Sequence, residues 1–224
     1  MAKHALIVWG GWDGHEPGPV AAIFEEVLKA EGVSVTVSTT LDSFLDTGIM
    51  AGVDLVIPVW TMGALTGAQQ SALCSAVERG VAIAGCHGGM CDAFRDATEY
   101  QFMTGGQWVA HPGNDGVEYT VRITEPDHFI TRGLQDFTVC SEQYYLHTDP
   151  SNRVLAVTRF PVAEGPHSPN GPFDMPVVWT RYYGRGRVFY CSVGHNAEAV
   201  AQAETREICR RGFVWALGLA PDQP

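Results

Sequence analysis

Short apolar runs alternate with helical stripes through the first 100 residues. Segments 5–9 (Ala-Leu-Ile-Val-Trp), 54–60 (Asp-Leu-Val-Ile-Pro-Val-Trp) and 81–84 (Val-Ala-Ile-Ala) are nearly continuous hydrophobic stretches, the pattern of strands covered on both faces. Segment 33–38 instead alternates Val33, Val35 and Val37 with Ser and Thr, which predicts a strand at a sheet edge or on its half-covered side. Between the strands, Val20, Ile23, Phe24, Val27 and Leu28 form one helical stripe, and Gly32 stands where a left-handed C-cap is wanted. Thr66 is placed to cap a second helix running through Arg79, with Leu73, Ala76 and Val77 inward and Gly80 ending it.

The second half is richer in β pattern. Segments 117–123, 137–140, 153–159, 176–180 and 187–193 read as strands, and the Gly/Pro-rich stretch 165–172 reads as a surface loop. A short helix is expected near 90–97, and a last helix from about 197 to 217 carries Ile208, Phe213, Trp215 and Leu217 among its apolar positions. Strands alternating with helices predict an α/β fold with a mostly parallel sheet. No repeat or linker interrupts the chain, so one domain over residues 1–224 is expected.

Composition narrows the function classes. With 46% hydrophobic and 17% charged residues, the chain is neither a disordered tail nor a coiled coil. Acidic residues outnumber basic ones 25 to 14, giving a formal net charge of −11 that repels phosphate backbones and argues against nucleic acid as a partner. No apolar run reaches the roughly 18 residues of a membrane span, and the N-terminus lacks a signal-peptide core, so a soluble cytoplasmic protein is expected. The six cysteines are scattered without a C-x-x-C pair, which suits reduced, buried side chains better than a disulfide framework or a structural zinc site. A homodimer is compatible with the general frequency of symmetric assemblies.

In an open parallel sheet, ligands gather outside the carboxyl ends of the strands. Four polar clusters follow strands there: Gly14-His15-Glu16, Gly85-Cys86-His87-Gly88-Gly89, Ser141-Glu142-Gln143-Tyr144-Tyr145 and Gly194-His195-Asn196. A fifth, Gly105-Gly106-Gln107-Trp108 with His111-Pro112, follows the short helix. His15, His87, His111 and His195 each stand at a strand or loop end, which together makes an active-site or metal-site hypothesis. Residues 85–89 have the spacing of a nucleophile elbow, a strained turn that lifts its central residue above the sheet, although a plain tight turn has the same glycines. The central residue is His87; Cys86 falls one position early and its side chain should point the other way.

These stretches, with Asp92-Ala93-Phe94-Arg95, Asp127-His128-Phe129-Ile130, Pro176-Val177-Val178-Trp179, Arg181 and the run 183–190, resemble in order and spacing the ThuA-like (trehalose-utilisation) family from Val8 to about Trp215. The resemblance implies the class I glutamine amidotransferase-like three-layer sandwich with a flavodoxin-like core. It implies no amidotransferase chemistry, because His87 stands where that superfamily has its cysteine and leaves no thiolate for a thioester. It also implies a place in disaccharide catabolism, with a link to 3-keto-sugar substrates. Isomerisation, elimination or hydrolysis of such a sugar needs an acid, a base and a group that stabilises an oxyanion. His87 and His195 are the expected acid and base, with Glu142 orienting a histidine, acting as base or ligating a metal. His15, Glu16 and His111 are candidate ligands of a divalent metal ion. Trp12, Trp60, Trp108, Tyr144 and Tyr145 could stack on a sugar ring; Arg181 is a candidate for a substrate hydroxyl, and Asn196 for a substrate contact. Two alternatives stay open: a non-catalytic sugar-binding or regulatory domain, and a hydrolase or amidotransferase using Cys86.

Overall fold

The computed structural model describes residues 2–220. The chain runs β1 (His4–Gly11), α1 (Pro17–Ala30), β2 (Ser34–Ser38), α2 (Thr47–Met50), β3 (Leu55–Thr61), α3 (Gly67–Glu78), β4 (Ala82–Cys86) and α4 (His87–Cys91). It continues through α5 (Thr98–Thr104), β5 (Gly106–Ala110), β6 (Val117–Ile123), β7 (Phe137–Ser141), β8 (Tyr145–Thr148) and β9 (Arg153–Phe160). It ends with β10 (Phe173–Tyr183), β11 (Gly186–Cys191), α6 (Ala197–Ala201) and α7 (Ala203–Ala216).

Nine strands form one sheet in the order β2-β1-β3-β4-β11-β10-β9-β6-β7, while β5 and β8 pair separately. The five strands from β2 to β11 are mutually parallel; β10, β9, β6 and β7 follow as antiparallel neighbours. Strand direction therefore alternates across the second half, and β9 and β7 again point the way of the parallel strands. Carboxyl ends from both halves meet along one edge.

Side chains sort to the two faces by alternation along each strand. Ala5, Ile7, Leu55, Ile57, Ala82 and Ala84 pack beneath α1 and α7 with Phe24, Val27, Leu28, Ile208 and Phe213. Leu6, Val8, Val56 and Ile83 pack on the other face with Leu73 and Val77 of α3 and Tyr100 and Met103 of α5. The result is the expected α/β three-layer sandwich. Thr66 caps α3 with a full capping box to Gln69, and Gly32 takes the left-handed conformation (φ 75°) after α1. Strand β2 does lie at the edge, leaving Val37 exposed.

Three local expectations differ from the structure. The helix expected near 90–97 is instead two, α4 and α5, because Met62 at the end of β3 bonds the backbone of Asp92 and Phe94 (2.8 and 3.0 Å) and stops the first one. The last helix breaks at Gln202 (ψ 135°), whose side chain donates to the Thr138 carbonyl of β7 at 2.9 Å. The stretches 106–110 and 145–148 carry only polar clusters in the sequence reading, yet form β5 and β8, short strands that pair with each other. Pro176 fits inside the long strand β10 because the β9–β10 register shifts beside it. All six cysteines are free, five of them buried and Cys140 exposed. Among the described residues no helix is long and apolar enough to cross a membrane.

Candidate active site

Four histidines and one glutamate, delivered by five different strand ends, converge at the carboxyl edge of the sheet. His15 follows β1 in a 3-10 turn (Asp13–His15), His87 follows β4, His195 follows β11, Glu142 follows β7, and His111 follows β5. The rings of His15 and His87 are 4.8 Å apart, those of His15 and His195 5.0 Å, and those of His87 and His195 5.6 Å.

Glu142 is the hub. Its Oε2 lies 3.1 Å from His87 Nε2, 3.5 Å from His195 Nδ1 and 3.8 Å from His15 Nε2, while Oε1 lies 3.7 Å from His111 Nε2. The glutamate is held from behind: the Tyr119 hydroxyl donates to its backbone carbonyl (3.2 Å), and the neighbouring Gln143 is anchored to Thr158, Arg159 and Val162. Burial pushes the Glu142 carboxyl up, but the imidazoles of His15, His195 and His87 outweigh it and hold the carboxyl well below the usual range. The carboxylate is thus ionised near neutral pH.

The histidines are fixed by backbone geometry as much as by contacts. His87 takes a left-handed conformation (φ 46°) at the start of α4, a strained position for a non-glycine residue of the kind expected of an elbow. Its Nδ1 lies 2.8 Å from the Ser192 carbonyl, and the Tyr190 hydroxyl donates to the His87 backbone carbonyl at 3.1 Å. The His15 Nδ1 is 2.7 Å from the Thr61 hydroxyl. Gly88 must lack a side chain here, since a Cβ would stand 2.6 Å from the His15 ring.

The histidines differ in access. His87 is 1% exposed and stacks under Tyr144 at 3.9 Å, and burial, partly offset by Glu142, lowers its pKa to about 4. It lies behind the site wall, away from open space. The Glu142 carboxylate, 3.5 Å from its Nδ1, raises the pKa of His195 against the opposing effect of burial. His195, with Asp115 and Asn196, lines a cavity of about 550 Å³; His111, with Trp108 and Tyr145, lines another of about 610 Å³. Loop 111–116 lines both clefts, with Asp115 and Gly116 in the first and His111, Pro112 and Asn114 in the second. Trp108 sits 5.4 Å from the His111 ring and carries the Arg95 guanidinium 4.4 Å from its ring centroid.

The remaining candidate residues have other surroundings. Glu16 is exposed and accepts a hydrogen bond from the Ala197 amide (3.0 Å) at the start of α6, outside the histidine cluster. Arg181 is buried against Asp149 (3.1 Å) and Asn152 (3.2 Å), an arrangement that ties loop 149–152 to β10. Asn196 caps α6 through Ala199 (2.9 Å). Trp12 is exposed with an edge contact to His15 at 4.7 Å, whereas Tyr145 packs on Phe160 and Phe173. Trp60 packs against the core with its ring beside Gly10, Gly11 and Gly63. Cys86 is buried in the core under α1, where burial, with Cys191 beside it, pushes the thiol well above its ordinary value. A thiolate nucleophile is not available there. Sequence reasoning missed Thr61, the Ser192 carbonyl and Asp115. Thr61 leaves a trace as the polar end of an apolar strand; Asp115 reads as an ordinary turn residue, and a carbonyl acceptor leaves no trace at all.

The family model for ThuA, trehalose utilisation, matches residues 4–216. No curated relative matches the sequence. Among solved structures, a putative ThuA-like protein from Bacteroides uniformis superposes with TM-score 0.76 at 17% identity, covering 96% of this chain and 91% of that one. Another from Parabacteroides merdae gives TM-score 0.76 at 16% identity, covering 100% and 93%. The GH42 β-galactosidase Gan42B from G. stearothermophilus resembles the chain at TM-score 0.56 and 13% identity, over 86% of this chain but 27% of its own. At these identities the structural likeness is one of fold.

Proposed function

The chain belongs to the ThuA, trehalose utilisation, family, and from that premise we propose that it is an enzyme of carbohydrate catabolism acting on an oxidised sugar, a 3-keto-glycoside, by moving a proton beside the sugar carbonyl. The observation that carries this reading is the convergence of four imidazoles on one buried carboxylate next to a cleft of about 610 Å³, a volume suited to a small saccharide.

A proton on the carbon next to a ketone is acidic because the resulting electron pair delocalises onto oxygen. His111, half-buried at the cleft and within reach of Glu142 Oε1, takes that proton as general base. Within the group of His15, His87, His195 and Glu142, His195 is the member that lines an open cleft and meets the charge that develops on the carbonyl oxygen, and the other three hold it in place. Return of that proton from His111 to the former carbonyl carbon, with the adjacent hydroxyl passing its own proton to the enolate oxygen, completes an isomerisation; expulsion of the glycosidic oxygen from the next carbon, protonated by His111, completes an elimination. Trp108, stiffened by Arg95, offers an apolar face for the sugar ring.

Screening the purified protein against 3-keto-glucosides and the parent glycosides tests this reading. Turnover of the keto compounds alone is expected, and His111→Ala should lower kcat on the order of 10²–10⁴-fold with folding intact. Binding of keto-sugars without any turnover would overturn it in favour of a sugar-binding module.

A further inference from the structure

We propose that His15, His87, His195 and Glu142 form a binding site for one divalent first-row transition metal ion, of which Zn²⁺ is the probe. One ligand atom from each lies within 4.8 Å of all the others, and Glu142 Oε2 faces His15 Nε2, His87 Nε2 and His195 Nδ1. Metal bonds of about 2.0–2.2 Å set the ligand atoms of a tetrahedron roughly 3.3–3.6 Å apart. The glutamate oxygen stands 3.1, 3.5 and 3.8 Å from the three ring nitrogens, close to that spacing, and the ligand atoms, all within 4.8 Å of one another, need draw together by only about an ångström to close around a cation.

The hydrogen-bond inventory gives independent support. A carbonyl oxygen can only accept, so the Ser192 contact fixes the proton of His87 on Nδ1 and turns the Nε2 lone pair of the neutral ring toward a carboxylate oxygen. His195 Nδ1 is buried, aimed at the same oxygen, and makes no hydrogen bond. One shared proton can satisfy one of these pairs; a divalent cation at their centre satisfies all four atoms. The opposite ring nitrogens are tethered as metal-bound imidazoles usually are: His87 to a carbonyl, His15 to the Thr61 hydroxyl, and His195 Nε2 toward Asp115 at 3.8 Å. Three nitrogens and one carboxylate oxygen favour zinc or its transition-metal neighbours over calcium or magnesium, which take oxygen sets. The cleft beside His195 and Asp115 supplies an entry path.

This deepens the electrophilic role given above to the same four residues and in that sense rests on it, but cation binding is measured with no sugar present. The full-length protein is stripped with chelator and titrated with Zn²⁺ by calorimetry, with Co²⁺ absorption as a second readout. We expect one ion per chain, a rise in Tm on loading, and the visible bands of tetrahedral Co²⁺. His87→Gln and Glu142→Gln should each weaken binding by well over tenfold and abolish the Tm shift, Thr61→Val should weaken it about tenfold, and His147→Gln, at an exposed position of β8, should bind as wild type. Absence of stoichiometric binding by the wild-type chain, or binding that survives the H87Q/E142Q double variant, overturns the inference. Keto-sugar turnover by a protein that binds no cation would remove it and leave the proton-transfer reading standing. Zinc binding without turnover would support the site and count against that reading instead.

Discussion

The two halves of the sheet contribute to the site in different ways. The parallel half, β2 to β11, ends each of three strands in a glycine-bearing turn that presents a histidine: His15, His87 and His195. The three strands that carry them, β1, β4 and β11, are largely apolar on both faces and clamped between two helix layers, so these turns are rigid platforms. The antiparallel half alternates buried and exposed positions, as β6 (Val117–Ile123) and β7 (Phe137–Ser141) do, and supplies the carboxylate that collects the imidazoles. One half therefore sets nitrogen positions and the other sets charge. Three buried imidazoles would gain little from being placed together without Glu142, and Glu142 would be an unpaired buried charge without them.

The largest expected effect comes from removing the shared element. Glu142→Gln should cost kcat/KM on the order of 10²–10⁴-fold while leaving the fold intact, because the amide keeps the shape and removes the charge. Stopped-flow or progress-curve assays on a 3-keto-glucoside, beside circular dichroism, measure both parts. If activity survives, the two halves do not work as one site. Next in size is the scaffold of the parallel half. Phe213 is fully buried against Phe24 at 5.0 Å and Phe189 at 6.3 Å, and Phe213→Ala should destabilise by about 3–5 kcal/mol in denaturant melts.

A smaller change sharpens the contrast in the other half. Tyr119→Phe removes only the hydroxyl that holds the Glu142 carbonyl, so about 1 kcal/mol of stability should be lost, with activity falling more than that loss alone explains. Chemical denaturation paired with kinetics separates the two. The smallest effect is expected at Cys86→Ser, which alters a buried core thiol and should leave turnover within about twofold; a complete loss would restore the cysteine-nucleophile alternative.

The parallel half was the more legible in sequence, for physical reasons. Continuous apolar runs mark strands buried on both sides, Thr66 and Gly32 mark helix ends through local hydrogen bonds, and glycine next to histidine at a strand end marks an elbow. Each of those signals is local. What stayed hidden depends on partners distant in the chain. Strands β5 and β8 are five and four residues long and exist because they pair with each other. The break at Gln202 is set by the Thr138 carbonyl, and the halt after α4 by Met62. At the site, histidine and glutamate are visible as types, but their grouping is not. His15 was grouped in sequence with Glu16, its neighbour in the chain, whereas in space it joins His87, His195 and Glu142; Glu16 turns away to cap α6.

Solvent-proton exchange tests the central claim most directly. A 3-keto-glucoside incubated with the protein in D₂O should take up deuterium at the carbon beside the ketone, seen by NMR, at a rate that falls steeply in His111→Ala and Glu142→Gln. Uptake no faster than in buffer, with the sugar bound and the protein folded, would contradict the account.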